Sequence, residues 1–406
     1  MASAAAAPLI PFSKEQLLRD PYPVYAALRR DYPVVRVPRP FQSEAWLVAR
    51  YDDVVAVLKD DARFVHERRR AGLKRDWVGD RFTLGLRDTM ILRDAEDHRR
   101  LRGLVHQAFT PARVDALKAR MDALVTLLLD RMQAHGRGEL LADLALPLPI
   151  AIICDMMGVP EEDRARFRHL VDGLIDLEGR GIPGLVSTIL RTRQLYRYLD
   201  ELIERRRKVR EDDLLSAMLA AEEGGQRLSH VELVASVFLL LFAGHETTVN
   251  LIGNGVLALL DHPEEAERLR QDPSLIDSAV EELLRFTNPV QVTAPRYSTE
   301  PLEIAGVAVP RGVPLVPSIG SASHDESHFP DPERLDLSRA PDKHAAFGFG
   351  SHYCLGAPLA RLEAGAAFLA FVQRFPDARL AVPREQLQWR RSTSLRGLTA
   401  LPLALR

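Results

Sequence analysis

Apolar residues recur at intervals of three and four along most of the chain, which is the spacing of one face of an α-helix. Between Pro111 and His135 they are Val114, Leu117, Met121, Leu124, Leu128 and Met132, and Gly136 ends the run. The same spacing predicts further helices over residues 162–174, 185–211, 213–223, 230–260, 263–271, 275–286 and 358–375. Most of the chain is therefore predicted to be helical.

Strand patterns are few and short. They cover residues 34–37, 45–49, 301–309 with a turn at Gly306, and 314–318. No Ser/Gly-rich or Pro-rich tract divides the 406 residues, and no repeat is visible. We therefore predict a single large domain over residues 1–406, mainly α with a small β-sheet, and a flexible N-terminus over residues 1–14.

Charge and hydropathy narrow the class of protein. The net charge of −2 does not suggest a nucleic-acid partner. The N-terminus lacks the basic start and apolar core of a signal peptide. The longest apolar run, from Leu233 to Gly244, is shorter than the roughly 20 residues that span a bilayer. Two distant cysteines form no disulfide framework. We expect a cytoplasmic protein without a membrane anchor.

One cysteine lies in the stretch FGFGSHYCLGAPLARLE, which runs from Phe347 to Glu363. Backbone N–H groups at the start of a helix stabilise a thiolate, and glycines let the backbone turn sharply and a flat group approach. No second cysteine is near Cys354, which argues against a cysteine-rich zinc site. A single thiolate suits a haem iron, because the macrocycle supplies four ligands and only an axial one is needed.

The order of residues in this stretch resembles the cysteine loop of cytochrome P450 haem-thiolate monooxygenases. The matching positions are Phe347, Gly348, Gly350, His352, Cys354, Gly356 and Ala360. The resemblance extends from YPVYAALRR to RGLTALPL, and it implies the cytochrome P450 fold and haem b (iron protoporphyrin IX) as cofactor. It makes Cys354 the iron ligand, with the following helix starting at Leu355. Because the N-terminus shows no membrane anchor, the chain resembles the soluble bacterial branch of the family.

A second matching segment is AEDHRRLRGLVHQAFTP. His98 and Arg102 are four residues apart and share one helix face. In the family this pair holds a haem propionate, and Arg296 and His352 match the other propionate contacts. A buried carboxylate needs such charge-assisted partners. The alternative is a basic helix face in contact with water.

A third segment, LLLFAGHETTVN, places polar residues inside an apolar helix, which is costly unless they are paired or hydrated. It resembles the family's oxygen-binding motif. The resemblance places Ala243 and Gly244 at the cofactor and makes Glu246 the acid and Thr247 the alcohol of a proton relay. The alternative is that Thr247 only hydrogen-bonds to a carbonyl of its own helix.

A fourth segment, VEELLRF, contains Glu282 and Arg285. The family uses this pair to brace the cysteine loop together with a third partner from a later loop, and Arg334 in FPDPERLDL occupies that position. The alternative is an ordinary surface pair, which contributes about 0.2–0.5 kcal/mol. Leu335 stands where the family more often has Phe.

The implied activity is insertion of one atom of O₂ into a C–H bond of a mostly apolar small molecule. No glycine-rich dinucleotide motif follows a strand, so electrons are expected from a ferredoxin or flavodoxin with its reductase. A basic patch is expected to steer that partner, although ordinary surface charge is an equal alternative. It consists of Arg99, Arg100, Lys343 and Arg361.

The substrate is less defined by the sequence. By analogy with the family, the pocket is built from residues 64–92, 167–192, 237–247, 289–294 and 394–396, and the predicted lining is Val237, Leu240, Leu241, Val290, Gln291, Val292 and Leu395. Fatty acids, terpenoids, steroids and macrolides all suit an apolar lining. The basic segment from Phe64 to Arg81 either meets a substrate carboxylate or is simply hydrated; its cations are Arg68, Arg69, Arg70, Lys74, Arg75 and Arg81.

Two other functions are compatible with the same cofactor. A peroxygenase would use H₂O₂ directly, but such relatives usually lose the acid–alcohol pair that Glu246 and Thr247 retain. A non-catalytic haem-fold module would recruit partners or sense a gas. Loss of Cys354 or of the Glu282–Arg285 pair would favour that module, and all three residues are present.

Overall fold

Helices dominate the computed structural model, which describes residues 6–38, 44–74, 89–172, 181–223, 228–340 and 343–405. The helices in the described residues are α1 (Lys14–Arg19), α2 (Pro21–Asp31), α3 (Tyr51–Lys59), α4 (Ala95–Ala108), α5 (Pro111–Ala116), α6 (Lys118–His135), α7 (Pro147–Met157), α8 (Glu161–Asp172), α9 (Gly181–Lys208), α10 (Leu214–Glu223), α11 (His230–Asp261), α12 (Pro263–Gln271), α13 (Ile276–Thr287), α14 (Ile319–Ala322) and α15 (Ala357–Arg374). The prediction of a mainly helical chain is confirmed.

Two differences from the predicted helices have local causes. The segment from Pro111 to His135 forms two helices, because the chain tightens at Leu117, whose N–H donates to the Val114 carbonyl three residues back. Helix α7 was not predicted. Most of its residues are buried, so its sequence, PLPIAIICDMM, lacks the polar face, recurring every three to four residues, by which a surface helix is recognised.

The strands form one main sheet and two small ones. They are β1 (Val34–Val37), β2 (Ala45–Val48), β3 (Phe64–Val65), β4 (Arg137–Glu139), β5 (Arg296–Ser298), β6 (Leu302–Ile304), β7 (Val307–Val309), β8 (Pro314–Pro317), β9 (Arg379–Leu380) and β10 (Pro402–Ala404). The main sheet has the order β1-β2-β8-β5-β3, with β2 and β8 parallel and the other pairs antiparallel. This sheet places Arg296 at the start of β5, beside the end of β3.

The predicted flexibility of residues 1–14 is wrong for its second half. Leu9 pairs with Arg36, the Ile10 N–H donates to the Arg36 carbonyl at 2.9 Å, and the Arg36 N–H donates to the Pro8 carbonyl at 2.8 Å. These backbone bonds hold residues 8–10 along β1. Residues 1–5 lie outside the described part of the chain.

Helix α11 is the central element of the largest core. Ser229 and Glu232 form a capping box at its start. Within the described residues it is the one helix long and apolar enough to cross a membrane, but 72% of its most apolar window is buried inside the protein. It packs closely on α15, since a Cβ at Gly255 would lie 2.3 Å from the Phe368 ring. Helix α15, which begins just after the cysteine loop, is thereby held against α11.

Candidate active site

Glycines shape the loop that carries Cys354. Gly348 and Gly350 have φ values of +68° and +74°, which L side chains rarely adopt. A Cβ at Gly350 would lie 2.5 Å from the Leu58 carbonyl oxygen, whereas a Cβ at Gly348 would meet no atom within 4 Å. The Cys354 N–H donates to the Phe347 carbonyl at 2.9 Å and closes the loop. Helix α15 begins at Ala357, between the two predicted starts at Leu355 and Pro358, with Gly356 as its N-cap.

The surroundings of the Cys354 thiol shift its pKa in opposite directions. Burial raises its pKa, while the N–H groups of Gly356 and Ala357 and the cations Arg102 and Arg361 lower it, leaving a net increase. The residue nevertheless has solvent-accessible surface, so the thiol faces an opening that protein atoms surround closely. A bound metal cation would convert such a thiol into a thiolate. Cys154 differs, because it is fully buried and burial raises its pKa to about 12.

Three imidazoles meet beside the cysteine loop. The His98 and His352 rings stack with centroids 4.0 Å apart, and the His66 ring meets His352 edge-on at 4.5 Å. His98 lies on α4, as its spacing predicted, and His352 lies two residues before Cys354. His66, at the end of β3, was missed, because a single histidine after two apolar residues carries no sequence signal.

The guanidinium of Arg296 completes this cluster. The residue is 1% exposed, and its Nη1 donates to Asp61 at 2.9 Å. Its Nε and Nη2 have no hydrogen-bond partner in the described part of the chain. Buried donors of this kind are nearly always satisfied. Because Nε and Nη2 form one edge of the guanidinium fork, they match the two oxygens of a carboxylate.

Burial, and then neighbouring positive charge, lower the pKa values of the three imidazoles. Burial and Arg296 lower the pKa of His66 to about 4, and burial with His66 and His98 lowers that of His352 to about 2. Burial and Arg102 lower the pKa of His98. A carboxylate would relieve this repulsion. One thiol that would bind iron and a cluster of hydrogen-bond donors that would bind carboxylates together fit a haem with its iron and propionates.

The face of α11 that carries the polar motif is open where the rest of the helix is buried. Leu240, Ala243 and Thr247 share this face at spacings of three and four and are partly or fully exposed. The Thr247 hydroxyl donates to the Ala243 carbonyl at 3.1 Å, which is the back-bonded arrangement of the alternative interpretation. Gly244 lies beside this face, and a Cβ there would contact Ile153 at 3.6 Å.

Glu246 lies behind that face. It is 4% exposed, and its Oε1 accepts a hydrogen bond from Asn250 at 3.4 Å and lies 3.7 Å from Arg390 Nε. Arg390 was not predicted. It reaches the acid from the C-terminal segment and is itself partly exposed, so it connects a buried carboxylate with the surface.

The structure revises the predicted pocket lining. Val290 and Leu395 are paired across a β-bridge, and Val292, two residues after Val290, is partly buried. Val237 and Leu241 have no exposed surface and belong to the core, so their assignment to the pocket is wrong.

Gln291 is also removed from the pocket. Its Nε2 donates to the Asn288 carbonyl, and its Oε1 lies 2.4 Å from where a Cβ of Gly320 would be, next to Tyr25. The side chain therefore fills space between α2 and α14. Residues 75–88 and 173–180, which the predicted pocket includes, lie outside the described residues.

The basic regions are only partly available to partners. Arg100 pairs with Glu232, and Arg361 pairs with Glu281 at 2.6 Å, whereas Arg99 and Lys343 are exposed. In the segment after β3, Arg68 donates to the Tyr297 hydroxyl at 3.3 Å and lies over its ring. Arg69, Arg70 and Lys74 are exposed, and Arg75 and Arg81 lie outside the described residues.

Glu282 and Arg285 form a buried ion pair on α13. Both side chains are 2% exposed, and Arg285 donates to the two oxygens of Glu282 at 2.7 and 2.9 Å. The third side chain is Arg339, whose Nε donates to Glu282 at 3.1 Å. The prediction of Arg334 is wrong, because its side chain is exposed and only its carbonyl accepts from Arg285 and Arg339. A turn at Asp336 brings residue 339 back to α13.

A second ion pair ties α13 to the cysteine loop and was not predicted. Burial raises the pKa of Glu281, but hydrogen bonds from Arg361 and His344 outweigh it and lower the pKa to about 2. The Arg361 guanidinium also lies 4.6 Å from the centre of the Phe347 ring. Phe347 and Cys354 are therefore held from α15 as well as by the loop itself. Ala360, the residue before Arg361 on α15, is partly buried.

Glu363 offers a test of this packing. The residue is 1% exposed beside Thr248 of α11, and burial raises its pKa from 4.5 to about 8. Between these values the folded protein holds a proton that the unfolded chain has lost, so the stability contributed by this group falls as the pH rises through that window. We expect Glu363→Gln to remove this part of the pH dependence of the thermal unfolding midpoint. The exposed Glu264→Gln is the control, and parallel curves for wild type and Glu363→Gln would refute the assignment.

Comparison with known proteins gives the family. The model of the family "Cytochrome P450" matches residues 14–386. The polyketide biosynthesis cytochrome P450 PksS of Bacillus subtilis (strain 168) is 41% identical over 399 residues, covering 95% of this chain and 96% of that protein. The cytochrome P450 monooxygenase PikC of Streptomyces venezuelae is 41% identical over 395 residues, covering 95% and 91%.

A solved structure agrees with these relatives. The structure of the PksS cytochrome P450 of the Bacillus subtilis 168 bacillaene polyketide synthase matches with a TM-score of 0.90 and 40% identity, covering 97% of this chain and 99% of that one. The predicted fold class is thus confirmed. PikC, one of the similar proteins, is named a monooxygenase. The chain belongs to the cytochrome P450 family of oxidoreductases.

Proposed function

We propose that this protein is a soluble, cytoplasmic haem b monooxygenase that hydroxylates an apolar, polyketide-like small molecule with electrons from a ferredoxin or flavodoxin and its reductase. The observation that carries the proposal is that His352, two residues before Cys354, stacks on His98 in the cluster that also holds the unpartnered donors of Arg296. Among the substrates compatible with an apolar lining, the polyketide class is favoured by PksS, whose name places it in polyketide biosynthesis.

In this proposal each residue has a defined task. When bound, the haem supplies the activation of O₂ and the insertion of one oxygen atom. Cys354 holds the iron, and the N–H groups of Gly356 and Ala357 stabilise the charge on its sulfur. His98, Arg102, Arg296 and His352 hold the propionates. The chain around these residues, residues 1–406, acts as one domain.

Substrate and oxygen are proposed to meet on the open face of α11. Leu240 and Ala243 exclude water there, together with Val290, Val292 and Leu395. Thr247 is proposed to pass a proton to reduced oxygen, and Glu246 to resupply it. The connection of Glu246 to Arg390, which is partly exposed, supports proton entry from solvent on this side.

The source of electrons separates this function from that of a peroxygenase. Arg99 and Lys343, the two exposed cations of the predicted basic patch, suit an acidic electron-transfer protein. The test measures hydroxylated product from a panel of macrolactones, fatty acids and terpenoids, once with ferredoxin and its reductase and once with H₂O₂. The panel is first ranked by the spectral shift that each compound induces in the ferric protein. Turnover confined to H₂O₂ would establish the peroxygenase instead, and haem binding without turnover would establish a non-catalytic module.

Thr247→Ala provides the mechanistic prediction. If Thr247 transfers protons, the variant should bind haem and substrate and consume reducing equivalents but release H₂O₂ instead of product. Positioned proton transfer contributes about 10²–10⁴-fold to rates, so product per reduced cofactor should fall sharply. Glu246→Gln should slow oxygen activation, because an amide does not exchange protons as a carboxylate does.

Thr248→Ala is a matched control, because Thr248 also back-bonds, to Gly244 at 3.3 Å, but is buried away from the open face. Unchanged coupling in Thr247→Ala and Glu246→Gln would show that the observed hydrogen bond to Ala243 is the whole role of Thr247.

A further inference from the structure

Hydrogen bonds hold His66 to two segments of the candidate haem site, the start of α4 and the residue before Arg296. Both segments carry residues that are predicted to bind a haem carboxylate. The backbone N–H of His66 donates to Asp94 Oδ1 at 2.9 Å, and the backbone N–H of Glu67 donates to Asp94 Oδ2 at 2.7 Å. Asp94 directly precedes α4, the helix of His98. His66 Nδ1 lies 3.1 Å from the carbonyl of Pro295, the residue before Arg296. The position of the ring is therefore fixed relative to both His98 and Arg296.

These hydrogen bonds also determine which ring atom is available. A carbonyl oxygen only accepts hydrogen bonds, so Nδ1 of His66 carries a proton and donates to Pro295. Nε2 is left without an assigned partner among the described residues. The residue is 9% exposed and its ring touches His352, so this ring edge belongs to the same cluster as the unpartnered Nε and Nη2 of Arg296.

The charges around His66 match a carboxylate ligand. Arg296 lowers the pKa of His66, whereas Asp94 and Asp61 raise it. The other titratable groups of the cluster are His98 and His352. Asp61 already accepts from Arg296 Nη1. An added carboxylate would offset the repulsion by Arg296 and favour a protonated Nε2.

We propose that His66 is a further haem-binding residue, whose Nε2 donates to a haem carboxylate beside Arg296 and His352. This inference rests on the proposed haem site and deepens it. It adds a fifth side chain to the four that the family resemblance implies, and it makes β3 part of the cofactor site. The prediction is that His66 acts on the carboxylates of haem and on no other part of the macrocycle.

The test compares haem with its dimethyl ester, in which both carboxylates are blocked. Holoenzyme is prepared with each pigment, and the rate at which the pigment passes to an excess of a haem-scavenging protein is measured. A hydrogen bond to a charged group contributes enough for about a tenfold change in rate. We expect His66→Phe to release haem about tenfold faster than wild type and to release the ester at the wild-type rate. His66→Gln, which retains a donor in a similar place, should fall between them.

Glu67→Gln is the matched control, because Glu67 shares the Asp94 anchor but directs its side chain to Arg93. Circular dichroism establishes that each variant is folded. Equal acceleration of haem and ester release in both His66 variants would overturn the inference in favour of a purely structural role, as would no acceleration at all. Failure of wild type to bind either pigment would instead refute the proposed haem site itself.

Discussion

Cys354→Ala is expected to lose the absorption that thiolate-ligated haem shows when reduced in the presence of carbon monoxide, and with it all monooxygenase turnover. Both cysteines of the chain are described by the structure, and Cys354 is the one that has solvent-accessible surface. A thiolate ligand donates electron density to iron and favours O–O cleavage, so another ligand would not sustain the chemistry. The measurement is the difference spectrum of the reduced carbon monoxide complex, together with product formation.

Cys154→Ala is the control for this experiment. Cys154 is enclosed by the core on α7, where burial raises its pKa to about 12, so it is not available as a substitute ligand. The control should retain the spectrum and the activity of wild type. Persistence of the thiolate spectrum in Cys354→Ala with Cys154 intact would contradict the ligand assignment.

Arg285→Ala is expected to give mostly misfolded or haem-free protein. Arg285 donates to Glu282 and to the carbonyls of Ser323 and Pro332, and removing it leaves a buried carboxylate whose one remaining counter-ion among the described residues is the partly exposed Arg339. Breaking a buried ion pair in this way costs about 3–5 kcal/mol. The measurements are the free energy of unfolding in denaturant and the ratio of haem to protein after purification.

Variants of the two later arginines test the revised brace. Arg334→Ala removes an exposed side chain and should leave stability nearly unchanged, because only the carbonyl of Arg334 takes part. Arg339→Ala removes the third ionic partner of Glu282 and should be clearly destabilising, though less than Arg285→Ala. A stable, haem-loaded Arg285→Ala variant, or a greater loss in Arg334→Ala than in Arg339→Ala, would contradict this arrangement.

The sequence was sufficient for features that depend on local spacing. Helix α11, the glycine turn before Cys354 and the Glu282–Arg285 pair are each contained in one short segment. Arg339 was missed because the turn at Asp336 decides which arginine faces α13, and two candidates stand five residues apart. His66 and Arg390 were missed because each reaches the site only through tertiary packing, from β3 and from the C-terminal segment.

The pocket was predicted less well for a related reason. Periodicity identifies the residues of α11 that are apolar, but a helix buried on several sides has more than one apolar face. Val237 and Leu241 are as apolar as Leu240, and only packing separates the core face from the open one. Gln291 was misplaced because its backbone lies near Leu395 while its side chain turns toward Gly320.

The cluster of His66, His98 and His352 has a consequence for biosynthesis. His66 and His98 come from the first third of the 406 residues and His352 from the last third, and closing a contact between such distant segments costs loop entropy. Domains fold as units, and the N-terminal part emerges first. Until the segment with His352 and Cys354 leaves the ribosome, the earlier imidazoles have no partner ring. The proposed haem site can therefore be completed only late in the synthesis of the chain, after the segment with Cys354 has emerged.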